Sequence, residues 1–202
     1  MTKSPETSKK TSYHHGDLRA QLVEATRQLV EEKGADHFSV SEACRRAGVS
    51  TAAPYKHFKD KEEMLNQVIL EGMHRKQQQM QDELAKYPDG GIDRIIALGR
   101  VYVRFAEQEP GVFRLMFGLT EDHENEDQLV AEGKRTFGAV QAEVARYRGS
   151  EVVEDQDIDR AFMLWSFVHG LSFLQIDGKV STVDVSVDME HILREIAERV
   201  MA

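Results

Sequence analysis

A single cysteine, Cys44, in 202 residues leaves the fold no internal disulfide to lean on. There are four prolines and one tryptophan, and the longest apolar segment, residues 158–176, carries too many polar groups to span a membrane comfortably. No charged-then-apolar leader is visible, so a cytoplasmic protein without membrane contact is expected. A Walker loop, a G-x-S-x-G turn, an H-E-x-x-H helix and a dinucleotide fingerprint are all missing, which removes the commoner enzyme readings. No cofactor is expected. Alternating strand patterns are missing too, and with 41% hydrophobic residues to build a core the chain is expected to be all-α.

The net charge of −9 looks wrong for a nucleic-acid binder until it is divided along the chain. Residues 1–61 hold 11 Lys and Arg against 8 Asp and Glu, a balance of +3, whereas residues 62–202 hold 15 against 27, a balance of −12. A front half that attracts phosphate and a rear half that repels it would orient the molecule on DNA, although acidic helices are also simply soluble.

Within the basic half, FSVSEACRRAGVSTAAPYKHFKDK (residues 38–61) reads as two short helices joined by a tight turn and followed by a capped third, a helix-turn-helix. Ser39 and Glu42 form a capping box that opens the first helix, which runs to Ala47, and Gly48 supplies the left-handed residue that ends it. Val49 turns inward. Ser50 is expected to cap the second helix, with Pro54 in its first turn, where a missing N–H costs only the first hydrogen bond. Thr51, Ala52, Tyr55, Lys56 and His57 are then the exposed residues, with Phe58 packing inward. Asp60 and Glu63 repeat the capping pattern, and Lys61 sits at the positive end of a third helix, a place suited to a phosphate.

Taken together, HHGDLR, FSVSEACRRAGVS and APYKHFKDKEEML resemble the DNA-binding domain of the tetracycline-repressor (TetR) family of one-component transcriptional regulators, from Tyr13 to about Glu71. Ala43 and Cys44 depart from its usual larger aliphatic and alanine. The resemblance implies a ligand-responsive regulator, most often a repressor: a homodimer on palindromic double-stranded operator DNA, released by a small-molecule effector not identifiable from sequence. It also implies DNA contacts from Ser39, Ser50, Thr51, Ala52, Tyr55, Lys56, His57 and Lys61. Thr51 and Ala52 would meet base edges, and Tyr55, His57 and Lys61 phosphates. A constitutive DNA-binding regulator without ligand is the alternative. Cys44, at a small inward position, reads as a buried thiol rather than a redox sensor.

Residues 1–16 are polar and are expected to form a mobile arm, in which Lys9, Lys10, Tyr13, His14 and His15 could reach DNA. The reading head is expected over residues 17–61, its first helix striped by Leu18, Leu22, Ala25 and Leu29. The effector-binding and dimerisation domain is expected over 62–202, joined by a helix from about 60 to 87 in which Leu65, Ile69, Met73, Met80 and Leu84 recur at helical spacing. Further helical patterns cover 92–109, 129–147, 158–176 and the C-terminal stretch around Ile192 and Ile196. Residues 158–176 are apolar nearly all round, so a buried helix and an intersubunit four-helix bundle are expected, with Gly170 allowing close approach.

Trp165, His169 and Gly170, with PGVFRLMF upstream, also resemble the Trp-His-Gly subgroup of TetR C-terminal domains. Candidate ligand-binding residues are Phe105, Phe113, Met116, Phe117, Phe137, Trp165 and His169. His169 reads either as a polar anchor in a pocket or as a hydrogen-bonded core or interface residue. A metal reading around His123 in EDHENED yields to a solvated loop. Glu71-x-x-His74 and Asp188-x-x-His191 superficially match the paired turns of helical di-iron oxidoreductases, but the bridging carboxylates of such a site are not evident.

Overall fold

The computed structural model describes residues 18–118, 127–182, 186 and 188–202. The expected arm (1–16), with its lysines, tyrosine and histidines, and the acidic stretch around His123 lie outside the described residues. Among those described, the chain is all-helical: α1 (Leu18–Lys33), α2 (Val40–Ala47), α3 (Lys61–Leu84), α4 (Ile92–Gln108), α5 (Pro110–Phe117), α6 (Asp127–Tyr147), α7 (Asp155–Ile176), α8 (Lys179–Thr182) and α9 (Met189–Met201), with 3-10 turns at Ala35–His37 and Pro54–Lys56. None of these helices is long and apolar enough to cross a membrane.

The ends of α2 follow from local chemistry. The Ser39 hydroxyl accepts from the Glu42 N–H (3.2 Å) while the Glu42 carboxylate accepts from the Ser39 N–H (3.0 Å), satisfying two amides that the first turn leaves open. At the other end Gly48 takes φ +69°, its N–H reaching the Arg45 carbonyl and that of Val49 the Cys44 carbonyl, a Schellman closure. Ala43 and Cys44 are fully buried on α1 despite their small size. Burial pushes the Cys44 thiol up, away from the reactive thiolate.

The segment after Ser50 departs from the expected helix. Residues 51–53 form a turn and Pro54–Lys56 a single 3-10 turn. With no N–H on Pro54, the Ser50 carbonyl accepts instead from Ala53, three residues on (3.0 Å), and the His57 and Phe58 amides both converge on the Pro54 carbonyl. The proline therefore costs the segment its α-helical ladder rather than one bond of it. At α3 the Asp60 carboxylate caps Glu63, but the Glu63 side chain accepts from the Lys59 N–H (2.6 Å), one residue earlier than a capping box requires.

One apolar core runs from Leu22 in α1 to Met201 in α9 without a break between head and body. Helix α4 is its centre, packing on α3, α5, α6, α7 and α9. Two glycines let backbones close up. A Cβ on Gly72 would stand 2.7 Å from Val112 of α5, and one on Gly111 would stand 2.6 Å from the Val30 carbonyl of α1. Gly170 does not act this way within the chain: open space surrounds it, on an exposed α7 stripe with Ile158, Phe162, Ser166 and Leu174. The expectation of a helix buried all round therefore fails for the single chain, where Phe162 is 55% and Leu174 50% exposed. Buried Arg94 ties the body together, bidentate to Glu143 of α6 (2.7 and 2.6 Å) and donating to the carbonyls of Leu84, the last residue of α3, and of Tyr87 just after it.

These packing distances predict opposite outcomes for two glycines. Gly111→Ala, where the obstruction is backbone, should lower the thermal unfolding midpoint. Gly138→Ala, mid-helix in α6 with nothing within 4 Å of the new methyl, should raise stability by up to ~1 kcal/mol in urea titration.

Candidate functional site

The segment between α2 and α3 presents Ser50, Thr51, Ala52, Tyr55 and Lys56 to solvent, Tyr55 being 65% exposed. His57 is half-buried beside Phe58, and Pro54 and Phe58 face the core. Ser39 is exposed but committed to its cap. Lys61 is half-buried, its Nζ 4.4 Å over the Phe38 ring, a cation–π seat rather than a free ammonium. Four other basic residues of the head are held by carboxylates, Arg27 by Glu24 (2.7 Å), Arg46 by Glu32 (2.6 Å), and Lys33 and Arg45 by Glu42 (2.6 and 3.7 Å). Lys56 and Lys59 are exposed and make no ion pair among the described residues. Lys59 escapes the sequence reading because it lies in the link between the expected second helix and the Asp60 cap, on neither helix from which contacts are read.

In the body, α3, α4, α6, α7 and α9 with the end of α5 enclose a cavity of about 360 Å³, walled largely by apolar side chains. That lies at the small end of the roughly 300–1,000 Å³ of ligand pockets. Phe117, Phe137 and Trp165 line it as expected. Phe105 and Phe113 do not: both are wholly buried in the core between α3, α4, α5 and α7, because periodicity marks an inward face without saying whether that face meets a helix or a void. Met116 packs toward Gly72 of α3, also off the cavity wall.

His169 stands behind the wall. Its Nδ1 lies 2.9 Å from the Tyr102 hydroxyl, which accepts from the Trp165 indole N–H at 3.1 Å. An indole can only donate, so the Tyr102 proton is free to go to Nδ1, a chain running Trp165 to Tyr102 to His169 with neutral imidazole. Burial, and then the nearby Lys76 charge, lowers the His169 pKa, which agrees. Burial raises that of Tyr102. The phenol and both α7 side chains thus clamp α7 to α4, and the Phe113, Phe117 and Phe173 rings pack around His169 at centroid distances of 4.8–6.0 Å.

Lys76 is the residue the sequence reading missed. It lines the cavity, is only 5% exposed, and has no carboxylate or hydrogen-bond partner among the described residues. Its Nζ sits 4.9 Å from the Tyr102 ring centroid and 5.5 Å from that of Phe117. Burial lowers its pKa from 10.5 to about 8, so at neutral pH it remains cationic with ring faces alone to replace water. A signal was present: Ile69, Met73, Lys76, Met80 is one apolar stripe with a lysine in a core position.

The di-iron reading finds no support. The Asp188 carboxylate is spent capping α9 by accepting from the His191 N–H (3.1 Å), and among the described residues no three His, Cys, Asp or Glu side chains converge as a metal site would require.

A capped helix-turn-helix head sharing one core with a helical body that encloses a cavity defines a DNA-binding transcriptional regulator. Comparison with known sequences agrees: the profile of bacterial regulatory proteins of the tetR family matches residues 22–68, and that of the tetracyclin repressor-like C-terminal domain matches residues 95–200. The chain belongs to the TetR family. It is 29% identical over 100 residues to the nucleoid occlusion factor SlmA of Marinomonas sp. (50% of each chain), and 30% identical over 112 residues to that of Vibrio vulnificus (54% of this chain, 55% of the other). The chain spans about half the length of the curated relatives it matches. Its fold is similar to that of a protein of unknown function from Rhodococcus sp. RHA1 (TM-score 0.79, 24% identity, 95% of this chain and 97% of that one) and to a TetR/AcrR-family transcriptional regulator from Thermobifida fusca (TM-score 0.63, 17% identity, 92% and 97%).

The unpaired lysine carries a prediction for the ligand-free protein. Below pH 8 Lys76 is charged in both folded and unfolded chains and its desolvation penalty is felt in full. Between pH 8 and 10.5 the unfolded chain keeps the proton that the folded one releases, so this residue makes stability rise with pH, by roughly 3 kcal/mol at most. Of the groups packed around it, Tyr102 and His169 are both neutral between pH 7 and 10. Lys76→Met should therefore raise the unfolding midpoint at pH 7 and flatten the rise between pH 8 and 10. A lower midpoint at pH 7 would show the ammonium to be stabilising.

Proposed function

We propose that this chain is a dimeric, ligand-responsive regulator, acting most often as a repressor, which leaves a two-fold-symmetric operator when a small molecule fills the cavity. The observation that carries the reading is the double role of α5. Its C-terminal Phe117 forms part of the cavity wall, and its N-terminus sits on the head, where the Glu31 carboxylate of α1 accepts from the Gly111 and Val112 amides at 2.8 Å each. Glu109, at the start of α5, is held by Arg75 of α3 (2.9 and 2.5 Å) with Arg27 of α1 at 3.9 Å. A ligand pressing on Phe117 therefore moves a helix whose other end is anchored to α1, and the domain division at residue 61 is bridged by that contact.

The α7 stripe of Ile158, Phe162 and Leu174, interrupted by the small residues Ser166 and Gly170, supports dimerisation through this helix and α9, with Met163 beside it. Trp165, His169 and Gly170 support a Trp-His-Gly type of C-terminal domain, in which the first two side chains fix α7 to α4. In the head, Thr51 and Ala52 would meet base edges, and Ser39, Ser50, Tyr55, Lys56, His57 and Lys61 the backbone, with Lys59 added to them. A cytoplasmic location follows from this role.

The test is anisotropy titration against duplexes selected from a random pool. The selected sites should be near-palindromic and bound by two protomers. Lys56→Ala and Lys59→Ala should each reduce the salt slope by about one without changing the preferred sequence, and Thr51→Ala should relax preference at one position. Glu31→Gln should leave DNA binding and ligand binding within severalfold of wild type while shrinking the factor by which each weakens the other. Undiminished coupling in that variant removes α5 from the mechanism.

A further inference from the structure

The cavity is walled by apolar side chains yet holds one buried cation, and nothing in the described chain neutralises it. Thr136 of α6 also lines it, and its hydroxyl is buried without a partner. The helical Thr26 and Ser172 hydroxyls instead donate to the carbonyl four residues back, at 2.8 and 2.7 Å, the usual resting place for such a group. Lys76 and Thr136 flank the Gln77–Arg135 hydrogen bond that joins α3 to α6, so both belong to the seam between those helices. Of the other polar side chains in the wall, Tyr102 and Trp165 are committed to their hydrogen-bonded chain with His169 and Lys134 stands exposed at the rim, and the remainder, including Met80, Val140 and Ile196, is apolar.

Resting on the reading of this cavity as the ligand site, we propose that its ligand is a carboxylate-bearing amphiphile: a monoanionic head bound by the Lys76 ammonium and the Thr136 hydroxyl, with an apolar tail filling the remainder. One buried ammonium matches one negative charge, whereas a phosphate dianion would leave a second charge in an apolar enclosure. A carboxylate accepts from two donors at once, and a change of χ1 is enough to turn a helical threonine hydroxyl onto it. A cavity of about 360 Å³ falls within the range of small-molecule pockets and suits a short amphiphile. Lys134, exposed at the rim, puts a second positive charge where an anion would enter.

The sole tryptophan, Trp165, lies in the wall and reports occupancy directly by its fluorescence. Full-length protein is titrated with hexanoate, octanoate, decanoate and dodecanoate, each beside its matched n-alcohol and n-alkylamine. The best carboxylate should bind ten- to a hundredfold tighter than its alcohol, the range of a charge-assisted hydrogen bond, and the amine should bind more weakly than the alcohol. Lys76→Met should bring carboxylate and alcohol to within about threefold of each other while the alcohol still binds, which shows the cavity intact. Thr136→Val should cut the carboxylate preference by a smaller factor. Alcohols binding as tightly as carboxylates, or a preference that survives in Lys76→Met, would overturn the head-group assignment and leave the cavity as a ligand site. If no member of the three series perturbs Trp165, both the assignment and the reading of the cavity fall. A carboxylate that binds through Lys76 without weakening operator affinity supports the assignment and overturns only the gating.

Discussion

The contact on which the rest of the molecule depends is the Glu31 carboxylate on the first turn of α5. A helix N-terminus leaves its amides without internal partners, and here two of them are satisfied by a side chain from another element, with the helix dipole adding to the attraction. The approach is possible only because residue 111 is glycine, since any side chain there would strike the α1 backbone. Around it, Arg75 and Arg27 bracket Glu109, and the neighbouring Glu24, held by Arg27, has its pKa lowered to about 2. The head is thus fastened to the body by charge-assisted hydrogen bonds of definite geometry in addition to the shared apolar core, and hydrogen bonds of this kind make or break over a small displacement where apolar packing would merely slide.

A second constraint works in the opposite sense. The cavity wall is stiff where Trp165, Tyr102 and His169 are joined to one another, and it stores an unfavourable term where Lys76 has only rings against it. The ligand-free body is accordingly less stable than its packing alone would make it. A partner for that ammonium would recover the difference, so part of the affinity for the proposed ligand would already be present in the unliganded structure as an unmet need.

What the sequence made legible was local. The capping box at Ser39 and Glu42, the left-handed Gly48, the Asp60 cap and the break at Pro110 each involve residues within four positions of one another, and helical periodicity located the long helices within a few residues. What it hid was tertiary. Tyr102 and His169 are 67 positions apart, Glu31 and Gly111 are 80 apart, and neither pair has a pattern to announce it. Phe105 and Phe113 were as plausible in the pocket as Phe117, because the choice depends on where five helices fail to meet. Lys76 stood in the stripe of α3, but that stripe was traced through its apolar members Leu65, Ile69, Met73, Met80 and Leu84 alone. Pro54 was misjudged for a different reason: its missing N–H was counted as one lost bond, whereas three-residue hydrogen bonding on either side of it replaced the α-helix itself.

That last departure bears on how little sequence one head can spell out. Three residues in a 3-10 turn advance about 6 Å, under two base-pair steps of a duplex. The exposed side chains around them offer hydroxyls at Ser50 and Thr51, a methyl at Ala52 and a phenol at Tyr55 for hydrogen bonds or methyl contacts. On the proposed reading, information that a longer reading helix would take from base edges would come instead from the bendability and groove width of the DNA and from the spacing between half-sites. In the proposed dimer the distance between the two heads would be part of the code as well as part of the switch.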